Sequence, residues 1–219
     1  MTKIELHTHS TGFSKCGKLD LPELLSLYKA KAYDVMVLTN HFNNYSLRYY
    51  TEAGGKNYHR DYHETIRRAQ KIGEEMGILV LGAYELRFDE NANDYLVFGM
   101  TEEFTKEYET IFASGVKEFS QQARTNGFLL YQAHPFRDKM TVTDPSLLFG
   151  IETKNTHPRH DNRNDICRQW AEKFGLHGIG GSDCHQAVDA GGGGILTERN
   201  VKNMDDLVSL LREDDYTIL

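Results

Sequence analysis

Seven apolar runs of strand length recur along this chain, and His7, His41, Glu85, His134 and Asp183 stand at or just past the ends of five of them. The runs are Lys3–His7, Asp34–Thr39, Ile78–Leu86, Tyr95–Met100, Gly127–Gln132, Leu148–Glu152 and His177–Gly181. Helical spacing places helices between them, near Pro22–Lys31, Arg60–Met76, Glu103–Thr125, Asp161–Phe174 and Met204–Arg212. Alternation of this kind predicts an α/β fold with mostly parallel strands. Polar side chains at the same end of successive strands then converge on one spot.

Local signals fix several boundaries. Pro22 suits the first helical turn, with Leu21, Leu24, Leu25 and Tyr28 on one face. Asp161 is read as the N-cap of a helix burying Ile166, Trp170 and Phe174. Gly77 and Gly175 stand where C-terminal caps belong. The connection Arg87–Asn93 is too short for a parallel crossover, so it predicts a hairpin or irregular return that brings Asp94 beside Glu85. At 219 residues the chain fits one domain spanning 1–219, with Gly191–Gly194 as a flexible loop within it. An eight-stranded barrel usually takes about 250 residues. A smaller or distorted barrel is therefore the expected architecture.

Composition narrows the function class. The formal net charge of −7 works against binding long nucleic acid, which needs clustered Lys and Arg. No stretch approaches the roughly 20 apolar residues of a membrane span. The chain enters an apparent strand almost at once, without a signal-peptide pattern. Cys16, Cys167 and Cys184 form an odd set with no framework spacing, which points to a reducing cytoplasm.

The polar strand ends carry the chemistry. His7 and His9 lie two apart on a strand, on one face, where they can grip one ion. Asp183 and His185 repeat that geometry near the other end. His41, Glu85 and His134 join them if the strands are neighbours. Leu6-His-Thr-His-Ser10, Leu38-Thr-Asn-His41, Gly82-Ala-Tyr-Glu85, Gln132-Ala-His-Pro135 and Gly181-Ser-Asp-Cys-His185 resemble the ordered motifs of the PHP (polymerase and histidinol phosphatase) superfamily. The resemblance runs from residue 4 to about 185. It implies a distorted (β/α)7 barrel holding two to three divalent ions (Zn, Mn, Fe or Mg) and hydrolysing phosphoesters. By motif position it implies that His7, His9, Glu85 and Asp183 hold one ion. Glu85, His134 and Asp94 would hold a second, and His41, His185 and the residue near Cys16 a third.

Three positions depart from the pattern. Asn40 replaces the usual acid of the second motif, where an amide can still hydrogen-bond a ligand. Asp94 replaces a common histidine and favours harder ions. Cys16 reads equally as a zinc-favouring thiolate or as a buried small hydrophobe.

The implied reaction is attack on phosphorus by a hydroxide bridging two ions, supported by Glu85, Asp183 and His134. Its substrate is a small phosphorylated metabolite or nucleotide. Arg137 reads as a phosphate clamp or a solvated loop arginine. Lys15 and Arg159 are substrate contacts or, more simply, surface charges. His59 and His63 have the i, i+4 spacing of a metalloprotease helix but lack its glutamate, so a solvated helix face is expected. Tyr45, Tyr49 and Tyr50 are read chiefly as packing. His157, His160 and His177 have no spacing partner. Two other functions stay open: a degenerate metal-binding module, motivated by Asn40, Asp94 and Cys16, and an amidohydrolase-like C–N hydrolase.

Overall fold

The computed structural model describes residues 1–219, and its hydrogen-bonded strands fall into two sheets. In chain order the elements are β1 (Thr2–Thr8), α1 (Leu21–Ala30), β2 (Val35–Leu38), β3 (His41–Phe42), α2 (Asn44–Glu52), α3 (Tyr58–Met76), β4 (Leu79–Gly82) and β5 (Tyr84–Leu86). There follow β6 (Tyr95–Phe98), α4 (Tyr108–Asn126), β7 (Leu129–Gln132), β8 (Gly150–Asn155), α5 (Asn164–Phe174), β9 (His177–Gly181), β10 (Ile195–Thr197), α6 (Met204–Glu213) and β11 (Thr217–Ile218). One sheet has the order β11-β10-β1-β2-β4, the other β3-β5-β6-β7-β8-β9.

The predicted α/β alternation holds, and the short return after β5 is a hairpin. Strands β5 and β6 are antiparallel, with Glu85 opposite Leu96. Because β6 runs backwards, Asp94 at its start lies at the same end of the sheet as residues that follow the forward strands. The predicted run Ile78–Leu86 is divided, since the chain passes from one sheet to the other between Gly82 and Tyr84. The same crossing separates β2 from β3. Strand β1 meets the segment after β9 through an isolated parallel bridge, Thr8 to Cys184.

Side-chain alternation along the strands builds two apolar layers. Val35, Val37, Leu81, Ala83, Leu96, Phe98, Leu129 and Tyr131 fill one, which Leu207, Leu210 and Leu211 of α6 complete. Met36, Leu38, Val80, Tyr84, Val97 and Leu130 belong to the other, packed with residues of α1, α3, α4 and α5. The α1 face of Leu21, Leu24, Leu25 and Tyr28 is buried as predicted, and Gly77 and Gly175 are left-handed caps.

Four expectations need correction. Helix α5 is preceded by Arg163 rather than capped by Asp161, and it buries Cys167 and Ala171 while Ile166 and Phe174 are exposed. The small side chains let α5 lie close on β8, and the larger ones are pushed to its rim. The predicted helix Glu103–Thr125 is broken at Gly115, whose φ of 75° interrupts it. There the Glu90 carboxylate accepts the Val116 N–H at 2.8 Å, capping the second half. Helix α2 had no apolar stripe to announce it; it begins from a reciprocal cap between Asn43 and Ser46. Gly191–Gly194 is not a loose loop, because it packs into the β1–β9 seam. A Cβ on Gly193 would lie 2.3 Å from the Gly181 carbonyl carbon. The Gly193 carbonyl also accepts the Tyr33 hydroxyl.

No helix is long and apolar enough to cross a membrane. Phe42 carries His41 on the two-residue β3 and is fully buried among Tyr58, Tyr62, Tyr84 and Phe112. Phe42→Ala is expected to destabilise the fold by about 3–5 kcal/mol through the cavity it leaves. Urea unfolding measures it, and a change near zero would contradict this packing.

Candidate metal centre

Strand ends deliver the polar side chains. His7 and His9 come from the end of β1, His41 from β3 and Glu85 from β5. His134 follows β7, and Asp183 and His185 follow β9. Two of these positions hold strained backbone. His134 and Asp183 have φ of 30° and 51°, the sparsely populated left-handed region that persists only where surrounding contacts impose it.

Glu85 is the centre of the cluster. Its Oε1 lies 3.2 Å from both His7 Nε2 and His134 Nε2. Its Oε2 lies 2.6 Å from His41 Nδ1 and 3.5 Å from His9 Nε2. Asp183 Oδ1 stands 3.4 Å from both His7 Nε2 and His9 Nε2, and 3.3 Å from His185 Nδ1. The His9 ring stacks between His185 and His41, at 4.2 and 4.5 Å between centroids. His7, His9, Glu85 and Asp183 are buried and present ligand atoms within 4.8 Å of one another. So do His41, Glu85 and Asp94, and so do His9, His41 and His185. His134 reaches the cluster through Glu85, and Cys16 Sγ lies 3.2 Å from His41 Nε2.

The donor set suits divalent cations. His7 Nε2, both nitrogens of His9 and His134 Nδ1 are buried without a hydrogen-bond partner. Unpaired buried polar atoms are costly, and a bound cation would satisfy those that face it. Each titratable group feels burial first. Burial depresses His7, but Asp183, Glu152 and Glu85 together outweigh it and hold the imidazole well above its usual value. For His9, burial and then His185 and His41 push it well below. Burial raises Glu85 and Asp183, yet surrounding imidazoles hold both well below the usual carboxylate range. Burial likewise raises Cys16, but His185 and His41 bring its thiol down to about 5. A thiolate ligand is thereby available at an exposed loop position.

The remaining predicted residues are distributed unevenly. Arg137 joins the cluster: its Nη2 donates to Asp183 Oδ2 at 2.8 Å and to Asn162 and Asn155. Arg159 is instead paired with Asp189 through both terminal nitrogens. Lys15 is exposed on the loop beside Cys16. Asp94 is gripped bidentately by Arg87 at 2.7 and 2.6 Å. Asn40 bonds Ser10, the neighbour of His9, rather than a ligand side chain.

His63 is not on a solvated face; it is buried and bonds Thr105 at 2.9 Å, because α3 packs it against the turn before α4. Tyr50 is a packing residue bonded to Asp61. His157, without a partner in the sequence, lies 5.7 Å from the His185 ring.

Glu152 went unnoticed as a site residue. It is fully buried, takes His7 Nδ1 at 3.0 Å and accepts the His134 N–H at 2.9 Å. The available signal was a carboxylate closing the apolar run Leu148–Glu152.

Among curated proteins none matches the chain in sequence. Residues 161–216 match the PHP-associated family PHP_C. In structure the chain is similar, over its whole length, to a two-domain protein from Bacteroides vulgatus containing a predicted PHP-like metal-dependent phosphoesterase, with a TM-score of 0.71 and 18% identity. The fold is that of the PHP-like structure, and the family match covers the C-terminal quarter of the chain. The chain spans 64% of the length of that two-domain protein. It is also similar to PsfC from Pseudomonas syringae (TM-score 0.71, 17% identity, all of this chain and 91% of that one). A third similar structure is an amidohydrolase from Chromobacterium violaceum with bound sulfate and no metal (TM-score 0.56, 15% identity, all of this chain and 98% of that one).

A folded centre of this composition should bind divalent ions more tightly than the unfolded chain does. Titrating the chelator-stripped protein with Zn²⁺ or Mn²⁺ is expected to raise its unfolding temperature. The stabilisation is about 2.7 kcal/mol at a hundred times Kd. A melting curve unmoved by either ion contradicts the assignment.

Proposed function

We propose that this protein is a PHP-type metal-dependent phosphoesterase acting on a small phosphorylated metabolite or nucleotide. The observation that carries the reading is Glu85, a buried carboxylate shared among His7, His9, His41 and His134 in a site with unpaired donor atoms. His7, His9, Glu85 and Asp183 would hold one ion, and Glu85, His134 and Asp94 a second. His41, His185 and Cys16 would hold a third, where the lowered thiol favours zinc. When bound, the ions supply Lewis acidity toward water and toward a phosphoryl oxygen.

The protein's own groups orient the substrate. Arg137 uses Nε and Nη2 on Asn162, Asn155 and Asp183. Its Nη1 remains for a phosphoryl oxygen, on a guanidinium already fixed in place. Lys15 stands on the exposed loop at the third ligand set. Arg159, neutralised by Asp189, contributes less.

The architecture proposed with this reading is a single distorted (β/α)7 barrel over residues 1–219. Strands β2 and β4 run on into β3 and β5 of the other sheet, and the Thr8–Cys184 bridge joins β1 to the segment that follows β9. A second reading, C–N bond hydrolysis, is favoured by the likeness to the C. violaceum amidohydrolase.

A panel of phosphorylated metabolites, nucleotides and amides, offered to the metal-reconstituted protein, separates the two. Phosphate release is expected, and His7→Ala or Asp183→Ala should lower it by more than about a hundredfold, the scale of losing one charge-stabilising group. Arg137→Ala should chiefly raise KM. Near-normal turnover in either ligand variant contradicts the reading. Full metal occupancy with no phosphoester hydrolysed would favour the module or the amidohydrolase.

A further inference from the structure

The Glu152 carboxylate lies beneath the centre and makes every one of its contacts within it. Oε1 meets His7 Nδ1 at 3.0 Å. Oε2 accepts the His134 backbone N–H and the Asn155 side-chain amide, each at 2.9 Å. An ionised carboxylate only accepts, so Nδ1 of His7 carries the proton. Once an ion displaces the other proton, the lone pair of His7 is on Nε2, the buried nitrogen that faces Glu85 and Asp183. The contact to His134 falls on one of the two strained ligand residues, whose φ of 30° needs an external hold.

The surrounding sequence makes room for this contact. A Cβ on Gly181 would lie 2.6 Å from His7 Cβ and 2.7 Å from Glu152 Oε1. Only glycine there lets β8 and β1 bring the pair together across β9. Asn155 links onward, since its Oδ1 accepts from Arg137, which in turn holds Asp183.

We propose that Glu152 is a positioning residue for the metal centre. It fixes the His7 tautomer with Nε2 toward the ion and holds the His134 peptide in its ligand conformation. This rests on the metal-centre reading, and the test separates the two. In Glu152→Gln an amide N–H or a carbonyl must face Nδ1 of His7, so the preference for the Nδ1–H tautomer is lost.

Wild type and Glu152→Gln, stripped with chelator and checked by near-ultraviolet circular dichroism, are titrated with Zn²⁺ against a chromophoric chelator. The tightest Zn²⁺ affinity of the folded variant is expected to fall about 10–100-fold, as for other partners of metal-bound histidines. Unchanged affinity overturns the role of Glu152 alone. A wild-type protein that takes up no Zn²⁺ overturns the metal-centre reading and this role with it.

A second measurement needs no variant. In ¹⁵N-histidine-labelled, Zn²⁺-loaded wild type, His7 should show a downfield Nδ1 proton that persists in water. An Nε2–H tautomer for His7 overturns the proposal.

Discussion

The desolvation of carboxylates is the constraint around which this molecule is arranged. Glu85, Glu152 and Asp183 are each at most 1% exposed, and Glu5 is fully buried beside them. A buried carboxylate without partners is strongly unfavourable, and a buried pair is tolerable only with good geometry and satisfied lone pairs. The chain meets this requirement with imidazoles around Glu85 and Asp183, and with backbone N–H groups around Glu5. Glu5 Oε1 accepts from Leu6, His7 and Ser182, tying β1 to the segment that carries Asp183. The carboxylates thus stitch together strands that share little ladder hydrogen bonding of their own.

Below the ligand atoms the contacts close into a ring. Glu152 holds His7, Asn155 holds Glu152, Arg137 holds Asn155, and Arg137 also holds Asp183, which returns to His7. Such a network leaves each side chain few alternative rotamers, which is what a site of fixed geometry requires. The unpaired nitrogens point to a cation as the missing partner.

Much of this was legible in the sequence because its signals are periodic and local. Strand ends marked by His7, His41, Glu85, His134 and Asp183 follow from apolar runs, and the hairpin that delivers Asp94 follows from loop length. Glu152 was not legible, since its partner His7 lies 145 positions away. A lone glutamate at the end of an apolar run looks like a strand terminus. Strands β3, β10 and β11 have two or three residues, too few for a period to register. Helix α2 lacked an apolar stripe and was specified by its cap instead. Helix α5 misled because Trp170 and Phe174 have helical spacing, whereas close packing on β8 selected the smaller Cys167 and Ala171.

Fold and geometry meet on one physical claim, that Glu85 is shared between ions. Anomalous diffraction from crystals of the metal-loaded protein tests it most directly. The account predicts at least two anomalous peaks, both within bonding distance of the Glu85 carboxylate and one of them also ligated by His7, His9 and Asp183. A fully loaded crystal with no peak at Glu85 would contradict it.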